Sequence, residues 1–136
     1  MWKVDHIGVA CRDLAQATED YEKLGFVKSH SDIHRGTDQP VFVQFMHLGG
    51  VEIELLEPIE KDDPHNPLSS YLQTPLYKMY HMCYEVDDLE DAVEKLKEQG
   101  FRVVGKSWLD KTHHDRRMLF LFHRRMGLVE IGEKTV

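Results

Sequence analysis

HIGVACRDLAQATEDYEKLGF, residues 6–26, is answered by HMCYEVDDLEDAVEKLKEQGF, residues 81–101. At a constant offset, His6 falls on His81, Asp13 on Asp88, Leu14 on Leu89, Ala17 on Ala92, Glu19 on Glu94, Gly25 on Gly100 and Phe26 on Phe101. Ungapped agreement over that length reads as an internal duplication. Each copy opens with a short apolar run that reads as a strand, passes through Asp-Leu, and continues with apolar residues at helical spacing. Asp13 and Asp88 stand at N-cap positions, where a carboxylate accepts the free N–H groups of a first helical turn. Gly25 and Gly100 stand where a helix ends in a left-handed residue, ahead of the strands FVKSH and FRVVG.

Outward from the repeat, two more strands follow in each copy. In the first they are PVFVQFMHL and VEIELLEP, with Gly49-Gly50 as the hairpin turn; in the second they are RRMLFLFH and LVEIG, joined around Met126-Gly127. The unit is therefore βαβββ. A four-stranded sheet with one helix covers only one face, and two such units can cover each other by curling around a common cleft. The predicted fold is α+β, a single domain over residues 1–136 made of modules 1–58 and 76–136, with a curled mixed sheet around a common cleft. Prolines with Asp, Asn and Ser in EKDDPHNPLSS place the linker at residues 59–75, with a short helix near LSSYLQ.

The bulk properties bound the function. A chain of 136 residues, 41% hydrophobic, has enough apolar content for a real core. The longest apolar run, MLFLF, is too short to cross a bilayer, and the first residues carry no basic flank before an apolar stretch, so no membrane span and no export signal are expected. Cys11 and Cys83 lie in apolar strand phrases without CxxC spacing and read as reduced core thiols, which points to the cytoplasm. A net charge of −7 argues against nucleic acid and anionic lipid as partners.

Strand alternation locates the chemistry. It puts Val51, Ile53 and Leu55 on the helix face and Glu52, Glu54 and Leu56 on the cleft face; likewise Val129 and Ile131 face the helix and Glu130 the cleft. His6 precedes Glu54 by 48 residues and His81 precedes Glu130 by 49. Each module thus offers one imidazole from its first strand and one carboxylate from its last. A lone strand histidine is usually structural and a lone strand glutamate usually solvated. Four such groups at duplicated, cleft-facing positions are better explained by a shared cation, because an uncompensated buried carboxylate is costly. Two imidazoles and two carboxylates suit one divalent ion: zinc, cobalt, nickel, manganese or magnesium.

These phrases, with IELLEP and GLVEI, resemble the vicinal oxygen chelate superfamily, which includes glyoxalases, methylmalonyl-CoA epimerases, extradiol dioxygenases and bleomycin- or fosfomycin-resistance proteins. The resemblance implies the paired βαβββ fold and metal ligands at His6, Glu54, His81 and Glu130. Compact length, IELLEP followed by DDPHNPLSSYL, and HMCYEVDDL look closest to the methylmalonyl-CoA epimerase branch. That branch implies Glu130 as a ligand that also moves protons and, just before the third strand, a second carboxylate, which here is Asp38 in RGTDQP. The expected function is metal-dependent proton transfer at a carbon next to a carbonyl, with an acyl-CoA such as methylmalonyl-CoA as substrate. The alternatives are a glyoxalase-type lyase acting on a thiol adduct and a drug-sequestering binding protein. Arg116, Arg117, Arg124 and Arg125 are either anion ligands or solvated strand ends; His113 and His114 read as surface residues. Exposed edge strands lead to the expectation of a homodimer.

Overall fold

A computed structural model describes residues 2–36, 39–111 and 115–135. They form an α+β fold: β1 (Lys3–Ala10), α1 (Leu14–Lys23), β2 (Val27–Lys28), β3 (His34–Arg35), β4 (Val41–Leu48) and β5 (Val51–Pro58), then β6 (Lys78–Val86), α2 (Leu89–Glu98), β7 (Arg102–Asp110), β8 (Arg116–His123) and β9 (Gly127–Glu133). The chain divides into two compact units, His6–Tyr80 and His81–Val136 with Met1–Asp5. In the first unit the strand order is β2-β4-β5-β1, with β3 also on β4. There β1 and β5 run parallel, and β4 is antiparallel to β5. The second unit repeats the plan as β6-β9-β8-β7, with β6 parallel to β9.

The helix ends are built alike in both units. Asp13 accepts from the Gln16 amide at 3.1 Å and Asp88 from the Asp91 amide at 2.9 Å. At the other end, the Gly25 amide donates to Glu22 and the Phe26 amide to Tyr21, while the Gly100 amide donates to Lys97 and the Phe101 amide to Leu96. This is the Schellman closure, and it needs a left-handed residue; Gly25 and Gly100 have φ of +103° and +95°. A second device is not visible in local sequence. Glu57 at the end of β5 accepts from the Leu14 amide at 3.0 Å, and Glu133 at the end of β9 accepts from the Leu89 amide at 2.8 Å. Each last strand thus supplies an anion to the positive end of its own module's helix.

Packing follows the predicted faces. Leu14 and Ala17 of α1 bury against Val9, Met46, Ile53 and Leu55. Leu89, Ala92 and Leu96 of α2 bury against Leu119, Leu121, Val129 and Ile131. Each fully buried Leu or Ile contributes roughly 1.5–3 kcal/mol. Val51 departs from the expectation: it is exposed, because it adjoins the Gly49-Gly50 turn at the strand's start, away from the residues that α1 covers. FVKSH is also shorter than predicted. Only Val27–Lys28 pairs with β4, and β3 pairs farther along the same strand.

Residues 59–77 pack onto the first unit. A 3₁₀ turn at Ser69–Leu72 stands where LSSYLQ predicted a short helix. Arg12 Nε and Nη2 both donate to the Leu72 carbonyl, and the Tyr77 hydroxyl donates to Asp20 on α1. Leu68 is buried, and buried Asn66 donates to the Pro40 carbonyl. Among the described residues, no helix is long and apolar enough to cross a membrane.

Candidate active site

In the first unit, β1 carries His6 and β5 carries Glu54, in parallel register with Gly8 beside Glu54. His6 is 1% exposed and Glu54 9%. His6 Nε2 lies 3.5 Å from Glu54 Oε1. Directly opposite Glu54 on β4 stands Phe45, whose ring meets the His6 ring edge-on at 5.9 Å. The second unit repeats this arrangement. His81 on β6 is 2% exposed and Glu130 on β9 is 5% exposed. Their Nε2 and Oε1 atoms are 3.2 Å apart, Phe120 stands opposite Glu130 on β8, and its ring lies 5.3 Å from His81. Each predicted histidine is thus beside its predicted glutamate, with a phenylalanine ring edge-on against the imidazole.

The His81–Glu130 separation of 3.2 Å matches metal ligation better than a simple ion pair, and the His6–Glu54 separation of 3.5 Å is longer than either arrangement sets. Two donors bound at ~2.1 Å to one ion, subtending the angles of octahedral or tetrahedral coordination, stand roughly 3.0–3.4 Å apart. A charge-assisted N–H···O contact is shorter, about 2.7–2.9 Å. Imidazole nitrogen with carboxylate oxygen is also a donor set suited to a divalent first-row ion. The residues fit such a metal.

Phe45 and Phe120 were not singled out from sequence. Their signal was present: in PVFVQFMHL and RRMLFLFH, the hairpin register sets one phenylalanine opposite the strand glutamate. Asp38, the predicted second acid, lies outside the described residues, as do His113 and His114. Gln44 is buried and donates to the His30 and Phe45 carbonyls, so it braces β4.

The arginines are mostly structural. Arg116 is buried and holds Asp5 through both terminal nitrogens, at 3.2 and 3.0 Å, with Glu85 at 3.5 Å. Arg117 takes Glu90 through a two-point contact at 2.8 and 2.9 Å and Glu133 at 2.9 Å. Those contacts hold the Glu90 carboxyl down at about 2 and lower that of Glu133 as well. Arg124 and Arg125 are exposed. Neither Cys11 nor Cys83 is in a disulfide. Burial pushes the Cys11 thiol up to about 12, which removes it as a nucleophile at neutral pH.

A profile of the Glyoxalase/Bleomycin resistance protein/Dioxygenase superfamily matches residues 5–120. The chain belongs to that superfamily. Among curated relatives it is 32% identical to the ethylmalonyl-CoA/methylmalonyl-CoA epimerase of Cereibacter sphaeroides, over 96% of this chain and 97% of that one. It is 29% identical to the mitochondrial methylmalonyl-CoA epimerase of Homo sapiens, over 96% of this chain and 73% of that one. Among solved structures, the methylmalonyl-CoA epimerase of Mycobacterium tuberculosis superposes with a TM-score of 0.77 at 24% identity, covering 98% of this chain and 88% of that one. A Streptomyces coelicolor methylmalonyl-CoA epimerase variant, in complex with 2-nitronate-propionyl-CoA, gives 0.77 at 23% identity, covering 98% of each chain. These structural likenesses establish the shared fold.

Proposed function

We propose that this protein is a metal-dependent acyl-CoA epimerase that moves the α-proton of methylmalonyl-CoA or a close homologue. The observation that carries this reading is the pair of buried His–Glu couples, one at the same topological position in each module. The epimerases named among its curated relatives support this reaction over a glyoxalase-type lyase or a sequestering protein.

His6, Glu54, His81 and Glu130 are assigned to one divalent ion. Two donors from one module leave such an ion under-coordinated, and a matching pair from the duplicate supplies four. When bound, the ion supplies an electrophile that stabilises negative charge on the thioester oxygen as the α-proton leaves. Glu130 takes that proton on a carboxylate oxygen, and Asp38 holds the proton returned to the opposite face of the planar carbon. His6 and His81, fixed edge-on by Phe45 and Phe120, hold the donor set in place. We further assign the protein to the cytoplasm, as a homodimer; its mass in solution by light scattering tests the second assignment.

The decisive experiment incubates cobalt- or zinc-loaded protein with methylmalonyl-CoA in deuterated water. Deuterium should appear at the α-carbon. Glu130→Gln should lower exchange about 10²–10⁴-fold, the usual contribution of a positioned proton-transfer group. No exchange by the wild-type protein under any metal loading sinks the epimerase reading. Asp38→Asn should cripple epimerisation while sparing a one-base lyase.

A further inference from the structure

Strand β7 is the outer strand of the second unit and is interrupted. Val104 pairs with Phe120 and Trp108 with Met118, so Gly105, Lys106 and Ser107 bulge opposite the single residue Leu119. Gly105 adopts φ +70°, a conformation that a side chain would strain. Bulges of this kind re-aim side chains beside active sites. Here the bulge keeps Trp108 on the face that bears Phe120. Cross-strand partners share a face, and Phe120 pairs with Glu130, which pairs with Cys83, two residues along β6 from His81.

Trp108 is unlike its neighbours. Residues 102–107 and Leu109 are exposed, whereas Trp108 is half-buried. Its ring lies 5.1 Å from that of Phe120, which in turn lies 5.3 Å from His81. Phe120 is itself covered, at 7% exposure, so Trp108 is the outermost ring of the row and the one with open surface. It has no place in the helix-side core, where Trp2 packs beside Tyr84. A large apolar ring held by a glycine bulge, separated from the candidate ligand His81 by the single ring of Phe120 and outside the core, is suited to meeting an apolar part of a ligand.

We infer that Trp108 is a specificity-determining residue: its indole forms the apolar wall against which the α-alkyl group of the acyl-CoA packs, and so limits the size of that group. This assignment rests on the epimerase reading. One methylene against an apolar wall changes selectivity about 10–200-fold.

The test has two arms. Trp2→Phe leaves Trp108 as the single tryptophan, excited selectively at the red edge of indole absorption in a protein titrated with methylmalonyl-CoA and ethylmalonyl-CoA; saturable quenching or a spectral shift is expected. In kinetics, Trp108→Ala should raise the ratio of kcat/KM for ethylmalonyl-CoA over methylmalonyl-CoA at least tenfold. Trp108→Phe, which preserves the contact with Phe120, should move the ratio less and in the same direction. An indole silent to both thioesters, or an unchanged ratio in both variants, overturns the assignment. Fluorescence that responds in a protein unable to exchange the α-proton overturns the epimerase reading alone.

Discussion

Arg116 is the residue whose role differs most from what its neighbourhood in sequence suggests. It stands in a run of basic residues at a strand end, yet it is buried between Asp5 and Glu85. Removing one partner of a buried charge group leaves the others uncompensated. Asp5 and Glu85 keep partial access to water, which reduces that cost. Arg116→Met should lower the unfolding free energy by about 2 kcal/mol in urea denaturation, with metal affinity unchanged. The contrast with His6, Glu54, His81 and Glu130 shows what was legible. The pairing of His6 with Glu54 and of His81 with Glu130 follows from position within a repeated frame, which the sequence states twice. The partner of Arg116 is 111 residues away, and nothing in the spacing of RRMLFLFH points to Asp5. Phe45 and Phe120 differ from Arg116, because the hairpin register that sets them opposite Glu54 and Glu130 is local.

At the level of elements, the helices carried the clearest signals, because Asp caps and glycine closures act within a few residues. The contribution of the last strand to each helix is tertiary and was not legible. Glu133 accepts from the Leu89 amide and is held by Arg117, which lowers its carboxyl pKa. A lowered folded-state pKa gives stability that is present above the unfolded pKa and lost as pH falls through the folded value. Glu133→Ala should therefore cost about 1 kcal/mol at neutral pH and progressively less as pH falls below the ordinary glutamate range, measured by urea midpoints at successively lower pH. Strand boundaries were the weakest part of the reading. Short β2 and the bulged β7 owe their limits to the neighbouring strand, which local propensity does not encode.

For the whole molecule, binding to the folded state alone stabilises by mass action. If the two His–Glu couples serve one ion, zinc or cobalt at a hundredfold excess over Kd should add about 2.7 kcal/mol to the unfolding free energy. A calorimetric scan with and without metal should show the rise, and His81→Ala should abolish it. The segment joining the modules has another consequence. Long loops are ordinarily where proteases enter first. Here side chains of the first module fasten the chain down, Arg12 on the Leu72 carbonyl and Asp20 on the Tyr77 hydroxyl. Nicking between Leu72 and Tyr77 is thus governed by how often those fastenings let go, so that stretch ages at the pace of local opening rather than that of a slack tether.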